Sequence, residues 1–332
     1  MKNLDGAAGS SLPSSQSTRR RTPQVIAHRG YKRLYPENTL LAFREALGPG
    51  GHHCDGIETD VHVSADGVVV LSHDSNLKRC FGEEGNVVAW PWHAPSGGKA
   101  LDSLRTVAEP HVGMPRLVDA LAMLEEDAFK DRWLLLDIKL SNHVDVIGRI
   151  AHVLKGTQGG LQYWQDRIVL GIWHDKFLSH CRQHLDTFAI THIGLHTSYA
   201  SRKFLHNKAV TSFNMQLYAL ACPAGEQFVR EAHALGKQVF VWTANDVDWI
   251  RYCQHILHLD ALLTDDPALC CSLVDNHTTA GTSATFDTAV FWTQKRRWTA
   301  WFWRNVLYLI MLARIYWIYR DTSGKKKRKN GL

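Results

Sequence analysis

No disulfide framework is written into this sequence. Its seven cysteines stand singly apart from Cys270 and Cys271, without a CxxC pair or even spacing. That excludes a disulfide-stapled scaffold and leaves reduced thiols in a cytosol-facing compartment as the expectation. An apolar signal-peptide core is also missing, because MKNLDGAAGSSLPSSQSTRRR is small, polar and serine-rich. Residues 1–22 therefore read as a disordered leader, and Asp5 together with the lack of an amphipathic period weighs against a mitochondrial presequence. No internal repeat is visible. A broad basic face is absent too: the net charge is +6, but Arg19–Arg21, Lys295–Arg297 and Lys325–Lys329 together exceed it. The body between those runs is close to neutral, which excludes nucleic acid as the expected partner.

What is present suffices for one large domain, with 332 residues of which 45% are hydrophobic and 21% charged. Short β-branched apolar runs alternate with helix-like stretches from Val25 to Leu273. The strand candidates are 25–28, 56–63, 68–73, 133–139, 168–173, 188–193, 210–215, 238–243 and 261–264. Between them TLLAFREAL carries Leu40, Phe43 and Leu47 on one helical face with Thr39 as N-cap, and EQFVREAHALGK ends at a helix-stopping Gly236. Such alternation predicts a parallel sheet closed as a (β/α)8 TIM-like barrel over residues 23–273, with an open doubly wound sheet as the alternative. Nine candidates compete for eight places. The turn Ser64–Gly67 is too short for a parallel crossover, so 56–63 and 68–73 are expected to form an antiparallel hairpin with one member outside the barrel register. The aperiodic stretch Phe81–Pro110 reads as an insertion near the site.

The chemistry-bearing residues gather at strand ends. Glu58 and Asp60 fall on one face of GIETDVHV, because side chains alternate along a strand. Two neighbouring anions repel unless they share a cation or a proton, and a hard divalent ion such as Mg²⁺ or Ca²⁺ suits such oxygens. A solvated strand edge is the plain alternative. Asp137 and Lys139 repeat the geometry after the buried run Leu134–Leu136, where a barrel carries its catalytic groups; a structural Asp–Lys pair is the competing view. His28 and Arg29 end the first strand, followed by Gly30, and His73 ends VVVLSH. Two imidazoles at strand ends can form an acid–base couple, and Arg29 can grip a phosphate bidentately. Among 19 histidines any single one is more often structural, so the combination is what counts.

The strings AHRGYKRLYPENTLLAF, IETDVHVSADGVVVLSHD, LLDIK, VWTAND and LLTDDP occur in this order. Over residues 24–273 they resemble the glycerophosphodiester phosphodiesterase family. LLLDIKLSN, YWQDRIVLGIWH and the C-terminus are similar to its fungal phosphatidylglycerol-specific phospholipase C branch. The resemblance implies one divalent metal held by Glu58, Asp60 and Asp137, catalytic His28 and His73, and phosphate contacts from Arg29 and Lys139. Glu37 and Asn38 would support the first loop, and Trp242 would line the pocket. Many family members carry Glu where this chain has Asp137. The implied reaction is metal-dependent hydrolysis of a phospholipid or glycerophosphodiester, with phosphatidylglycerol giving diacylglycerol and glycerol phosphate. A hydroxyl of the head group would attack phosphorus, one histidine removing its proton and the other protonating the departing alkoxide, and water would open the cyclic product. A soluble-substrate glycerophosphodiesterase, a lysophospholipase D and a catalytically silent lipid-binding barrel are the alternatives.

Beyond the barrel, residues 274–297 read as a linker, 298–320 as a membrane-associated segment and 321–332 as a basic tail. Trp298 to Tyr319 would extend about 33 Å as a helix, with aromatic residues at both ends. Arg304 and Arg314 would have to snorkel; a helix or short hairpin lying in the interface is the alternative, and an amphipathic helix packed on the barrel is the plain one. The basic flanks favour anionic lipid as the membrane partner. The expected location is a membrane with the catalytic domain facing the cytosol, at the ER, a lipid droplet or a mitochondrion.

Overall fold

The computed structural model describes residues 22–48, 54–95, 97–279, 287–306, 308–310 and 313. The expected leader falls outside them but for Thr22, as does the end of the expected membrane segment. Every strand candidate yields a strand: β1 (Gln24–His28), β2 (Gly56–Val63), β3 (Val69–Leu71), β4 (Trp133–Ile138), β5 (Ile168–Ile172), β6 (Ala189–Gly194), β7 (Ser212–Gln216), β8 (Gln238–Trp242) and β9 (Ala261–Thr264). Eight of them are parallel neighbours in the order β1-β2-β4-β5-β6-β7-β8-β9, and β1 pairs with both β2 and β9. That closure makes a TIM barrel and removes the open-sheet alternative. β3 pairs antiparallel with β2 and stands outside the ring, as the short turn requires.

Strand alternation determines what the barrel holds. Ile26, Trp133, Leu135, Val169, Ala189, Ile193, Phe240, Ala261 and Leu263 form one buried cluster inside the ring. Two residues further along the same strands the inward positions turn polar: Ile26 leads to His28, Leu135 to Asp137, Phe240 to Trp242 and Leu263 to Asp265. The period of two thus stacks an apolar plug beneath a polar carboxyl end. The outward faces pack against the surrounding helices in a second, larger core.

Local signals hold where they were read. Thr39 caps the helix Leu40–Leu47 by accepting from the Ala42 amide, and Gly236 takes φ +69° just after the helix Pro223–Ala234. The excursion after β3 has a small core of its own, Leu77, Val87, Trp90, Leu101, Leu104 and Met114, built onto Val70 of β3. It is an appendage of the barrel.

The C-terminal region departs from a plain linker. The helix Pro267–Thr279 runs past the boundary expected at 273. A short helix, Thr288–Phe291, then places Phe291 flat against Tyr252 with ring centroids 4.7 Å apart. Residues 294–306 and 308–310 are helical. Among the described residues no helix is long and apolar enough to cross a membrane.

Candidate active site

The site is assembled at the carboxyl ends of β1, β2, β4, β5, β8 and β9. Parallel pairing sets Asp60 of β2 directly beside Asp137 of β4. Glu58, two residues back on β2, joins them, so that one oxygen from each of the three lies within 4.8 Å of the others. All three side chains are buried. Lys139 Nζ reaches Asp60 Oδ1 and Asp137 Oδ2, each at 2.5 Å. Arg29 approaches from the other side, with Nε 3.3 Å from Asp60 Oδ2 and its own amide bonded to Glu58 Oε2 at 3.0 Å.

Charge explains how these groups ionise. Burial, then the Asp60 and Asp137 charges, push the Glu58 carboxyl well above its ordinary pKa. Burial opposes ionisation of Asp60 too, but Lys139 and Arg29 outweigh it and hold that carboxyl well below the usual range. Asp137 is raised, chiefly by burial. Burial also works against the Lys139 ammonium, yet Asp137, Asp60 and Glu58 overcome this and raise its pKa.

These residues fit a hard divalent cation. The donors are all carboxylate oxygens, three acids face two fixed cations, and the mutual repulsion that raises Glu58 is what an added positive charge relieves. Among the described residues this is the one cluster of its kind.

Two imidazole–carboxylate pairs flank the cluster. His28 Nδ1 lies 2.6 Å from Asp265 Oδ1, and its Nε2 faces Glu58 at 3.8 Å. His73 Nδ1 lies 2.8 Å from Asp74 Oδ1. With each Nδ1–H donated to a carboxylate, each Nε2 keeps a lone pair. Burial lowers the His28 pKa against the opposing hydrogen bond that its Nδ1–H donates to Asp265. Burial also takes His73 down to about 4, with Asp60 opposing and Lys139 and Arg29 assisting. The amide of Ser72, the residue before His73, donates to the Asp60 carbonyl at 3.0 Å, which sets His73 beside the cluster.

The supporting residues have definite partners. Asn38 donates to Asp60 Oδ2 at 2.8 Å and accepts from the Thr59 hydroxyl at 2.7 Å, so it fixes a carboxylate of the cluster. Glu37 accepts from Arg29 at 3.1 Å and takes a two-pronged ion pair from Arg79 at 2.7 and 2.9 Å. Arg29 has φ +60°, a region few non-glycine residues adopt, and Gly30 follows at φ +81° where a Cβ would stand 2.8 Å from Ala42. Trp242 donates to the Asn214 carbonyl and meets Trp173 edge-on at 5.7 Å.

All ten residues singled out from the sequence thus lie in one region, and the structure adds five. Trp173 donates to Asp137 Oδ1 at 2.7 Å. Asp265 and Asp74 orient the histidines, Asn245 donates to Asp265 at 2.9 Å, and Arg79 joins Asp74 to Glu37. Asp265 was within reach of sequence reasoning, since LLTDDP follows the last strand. Trp173 directly follows β5, the fourth strand of the barrel, the same positional signal that picked out Lys139. Nothing local marks Arg79, whose partner Glu37 is 42 residues away.

Fold and site together define a class: a (β/α)8 protein with a candidate divalent-metal centre and acid–base groups around it. The chain belongs to the Glycerophosphoryl diester phosphodiesterase family, whose sequence model matches residues 28–269. A glycerophosphodiester phosphodiesterase of Bacillus altitudinis is 29% identical over 158 residues, covering 47% of this chain and 60% of that protein. A human lysophospholipase D is 33% identical over 132 residues, 39% of this chain and 40% of that one. Those alignments therefore span less than two thirds of either relative. An Oleispira antarctica phosphodiesterase, solved with its product sn-glycerol-3-phosphate, shares the fold at TM-score 0.61 and 23% identity, over 76% of this chain and 97% of that one.

Proposed function

We propose that this chain hydrolyses glycerophosphodiesters at a lipid surface, taking phosphatidylglycerol to diacylglycerol and glycerol phosphate. One observation carries the reading: Glu58, Asp60 and Asp137 converge within 4.8 Å at the barrel end that also holds His28 and His73. A divalent ion bound there supplies charge neutralisation at a phosphoryl oxygen and acidifies the neighbouring glycerol hydroxyl. The chain's own groups do the rest. Arg29 and Lys139 face the phosphoryl oxygens, where negative charge accumulates. One imidazole accepts the hydroxyl proton at its free Nε2 as that oxygen bonds to phosphorus; the other, entering as imidazolium, protonates the diacylglycerol alkoxide as its P–O bond breaks, and water then opens the cyclic glycerol phosphate with the two roles reversed. Asp265 and Asp74 accept from Nδ1 of the two rings, which leaves each Nε2 as the nitrogen that exchanges protons with the substrate. The Trp173–Trp242 pair offers an aromatic wall to the glycerol carbons.

The lipid preference draws on the C-terminal aromatic stretch with its basic flanks, which would hold the protein at a membrane with the barrel on the cytosolic side. A lysophospholipase D specificity is the second reading, favoured by the 33% identity to the human enzyme of that activity. The test incubates purified protein with phosphatidylglycerol, lysophospholipids and soluble glycerophosphodiesters, with and without chelator, and identifies products. Chelator-sensitive release of glycerol phosphate from phosphatidylglycerol is expected, and His28→Ala and His73→Ala should each abolish it in a folded protein. Cleavage of lysophospholipids alone would shift the assignment to the second reading. Full activity in either histidine variant would remove the acid–base pair.

A further inference from the structure

We propose that the aromatic helix after Thr293 is a docking plane built onto the catalytic rim, which sets the barrel mouth against an anionic lipid surface. The inference deepens the membrane reading above and rests on it for the identity of the surface. Its ground is where the helix is anchored and which way it faces. At its start, the Arg296 guanidinium pairs with Asp248 and covers the Phe291 ring at 4.9 Å, while Phe291 and Trp292 pack on Trp249 and Tyr252. Those partners belong to the helix Val247–His255, which begins just beyond the carboxyl end of β8. Twelve residues on, about 18 Å along a helix, Tyr308 meets the His196 ring at 4.8 Å. His196 lies just beyond the carboxyl end of β6. Both anchors are therefore on the end of the barrel that carries the candidate active site.

The helix faces the wrong way for a protein in water. Arg296, Ala300 and Arg304 recur every four residues and form the face turned to the barrel: Ala300 is buried, Arg296 is paired and Arg304 acts on His196. On the other side Trp298 is 64% exposed, Trp301 55% and Leu309 63%, with Phe302 beside them. A helix on a soluble core turns its apolar stripe inward; this one turns it out, and so large an exposed aromatic surface calls for a partner. Charge selects which. Lys295 and Arg297 are exposed at the head of the helix, and Lys325–Lys329 follow in the sequence. Tryptophan and basic residues side by side match the interface of an anionic membrane. A second copy of this chain would bring the same cations to the contact and be repelled.

The consequence is an orientation. With the outer face at the level of the head groups, a lipid phosphodiester reaches the mouth without leaving its leaflet. Hydrogen–deuterium exchange of the full chain on vesicles tests this, using phosphatidylcholine alone or mixed with phosphatidylserine. Protection is expected at 195–199, 244–248 and 294–310 on the anionic vesicles, and none at 207–211, 235–237 and 258–260 on the opposite end of the barrel. Replacing Trp298, Trp301 and Phe302 together by Ala should weaken vesicle binding more than about tenfold, or 1.4 kcal/mol, while hydrolysis of water-soluble glycerophosphoglycerol stays unchanged. Uniform protection, equal binding to neutral vesicles, or a dimer that buries these aromatics would each overturn the proposal. Because binding and exchange need no turnover, rim protection without any hydrolysis would sink the proposed reaction and leave the orientation standing.

Discussion

Asp137 is one carbon shorter than the glutamate that the family resemblance leads one to expect there, and Trp173 fixes its position. The indole N–H holds Asp137 Oδ1 at 2.7 Å, which leaves Oδ2 toward Lys139 and Asp60. A partner of this kind orients a metal ligand, and its loss typically costs ten- to a hundredfold in metal affinity. Trp173→Phe keeps the ring against Trp242 and removes only the donor. Calorimetric titration with Mn²⁺ should then show binding weakened by about tenfold, with thermal stability of the metal-free protein little changed. Equal affinity in the variant would show that Asp137 needs no such support. The acids themselves could be read from strand alternation, because Glu58, Asp60 and Asp137 all occupy inward positions. Their direct adjacency could not, since the β2–β4 register depends on pairing across 77 residues of chain.

At the scale of elements, the excursion after β3 does more than cover the barrel. Its first short helix, Lys78–Phe81, carries Arg79. Arg79 Nε bonds Asp74 at 2.6 Å, and its two terminal nitrogens fork onto Glu37. Asp74 orients His73, and Glu37 holds Arg29, so one guanidinium ties the acid–base side of the pocket to the phosphate side. Both carboxyls are held below their ordinary pKa, Glu37 against burial by the Arg79 and Arg29 bonds and Asp74 against burial by the Arg79 and His73 bonds. Arg79→Ala is expected to lower kcat by about ten- to a hundredfold, as misplacement of catalytic groups does, with a smaller change in metal affinity. Arg79→Lys should not restore it, because an ammonium cannot bridge two carboxylates in a fixed plane. Steady-state kinetics with a soluble glycerophosphodiester would check both, and unchanged kcat in Arg79→Ala would make the bridge structural only. This coupling was not legible. Strands and helices declare themselves by local periods, and all nine strands were found that way, but an aperiodic segment gives no period to read. Phe81–Pro110 could be placed near the site only by its position between two barrel strands. The stretch 274–297 hid its packing in a related way: it gave no period to read, whereas Phe291 and Trp292 pack on Trp249 and Tyr252 through contacts about 40 residues distant.

The whole molecule carries its histidines as a stability term. His192 is buried on the outer side of β6, stacked on Phe204 at 4.1 Å and bonded to the Ile172 carbonyl at 3.1 Å. Burial lowers its pKa from 6.5 to about 3. His73, at about 4, and His28 are lowered by the same cause. The sign follows from proton counting: between pH 6.5 and these values the unfolded chain binds protons that the folded barrel does not, so stability falls as pH drops through that window. The carboxyls do not all act together. Asp60 and Asp265, held low, lose stability in the same direction at lower pH, whereas Glu58 and Asp137, held high, oppose it. A bulk melting curve therefore mixes both signs, and a variant is needed to isolate one. His192→Phe retains the stack on Phe204, lies outside the active site and removes the titration. Its melting temperature should decline less steeply than that of the parent between pH 6.5 and 4, since each pH unit of displacement is worth about 1.4 kcal/mol once the unfolded state is protonated. Parallel declines in the two proteins would mean that His192 can be protonated within the fold, and that the outer core admits water there. The carboxylate cluster gives the complementary measurement. Divalent ion bound to the native barrel stabilises it by mass action, so added Mn²⁺ should raise the melting temperature of His192→Phe as much as that of the parent.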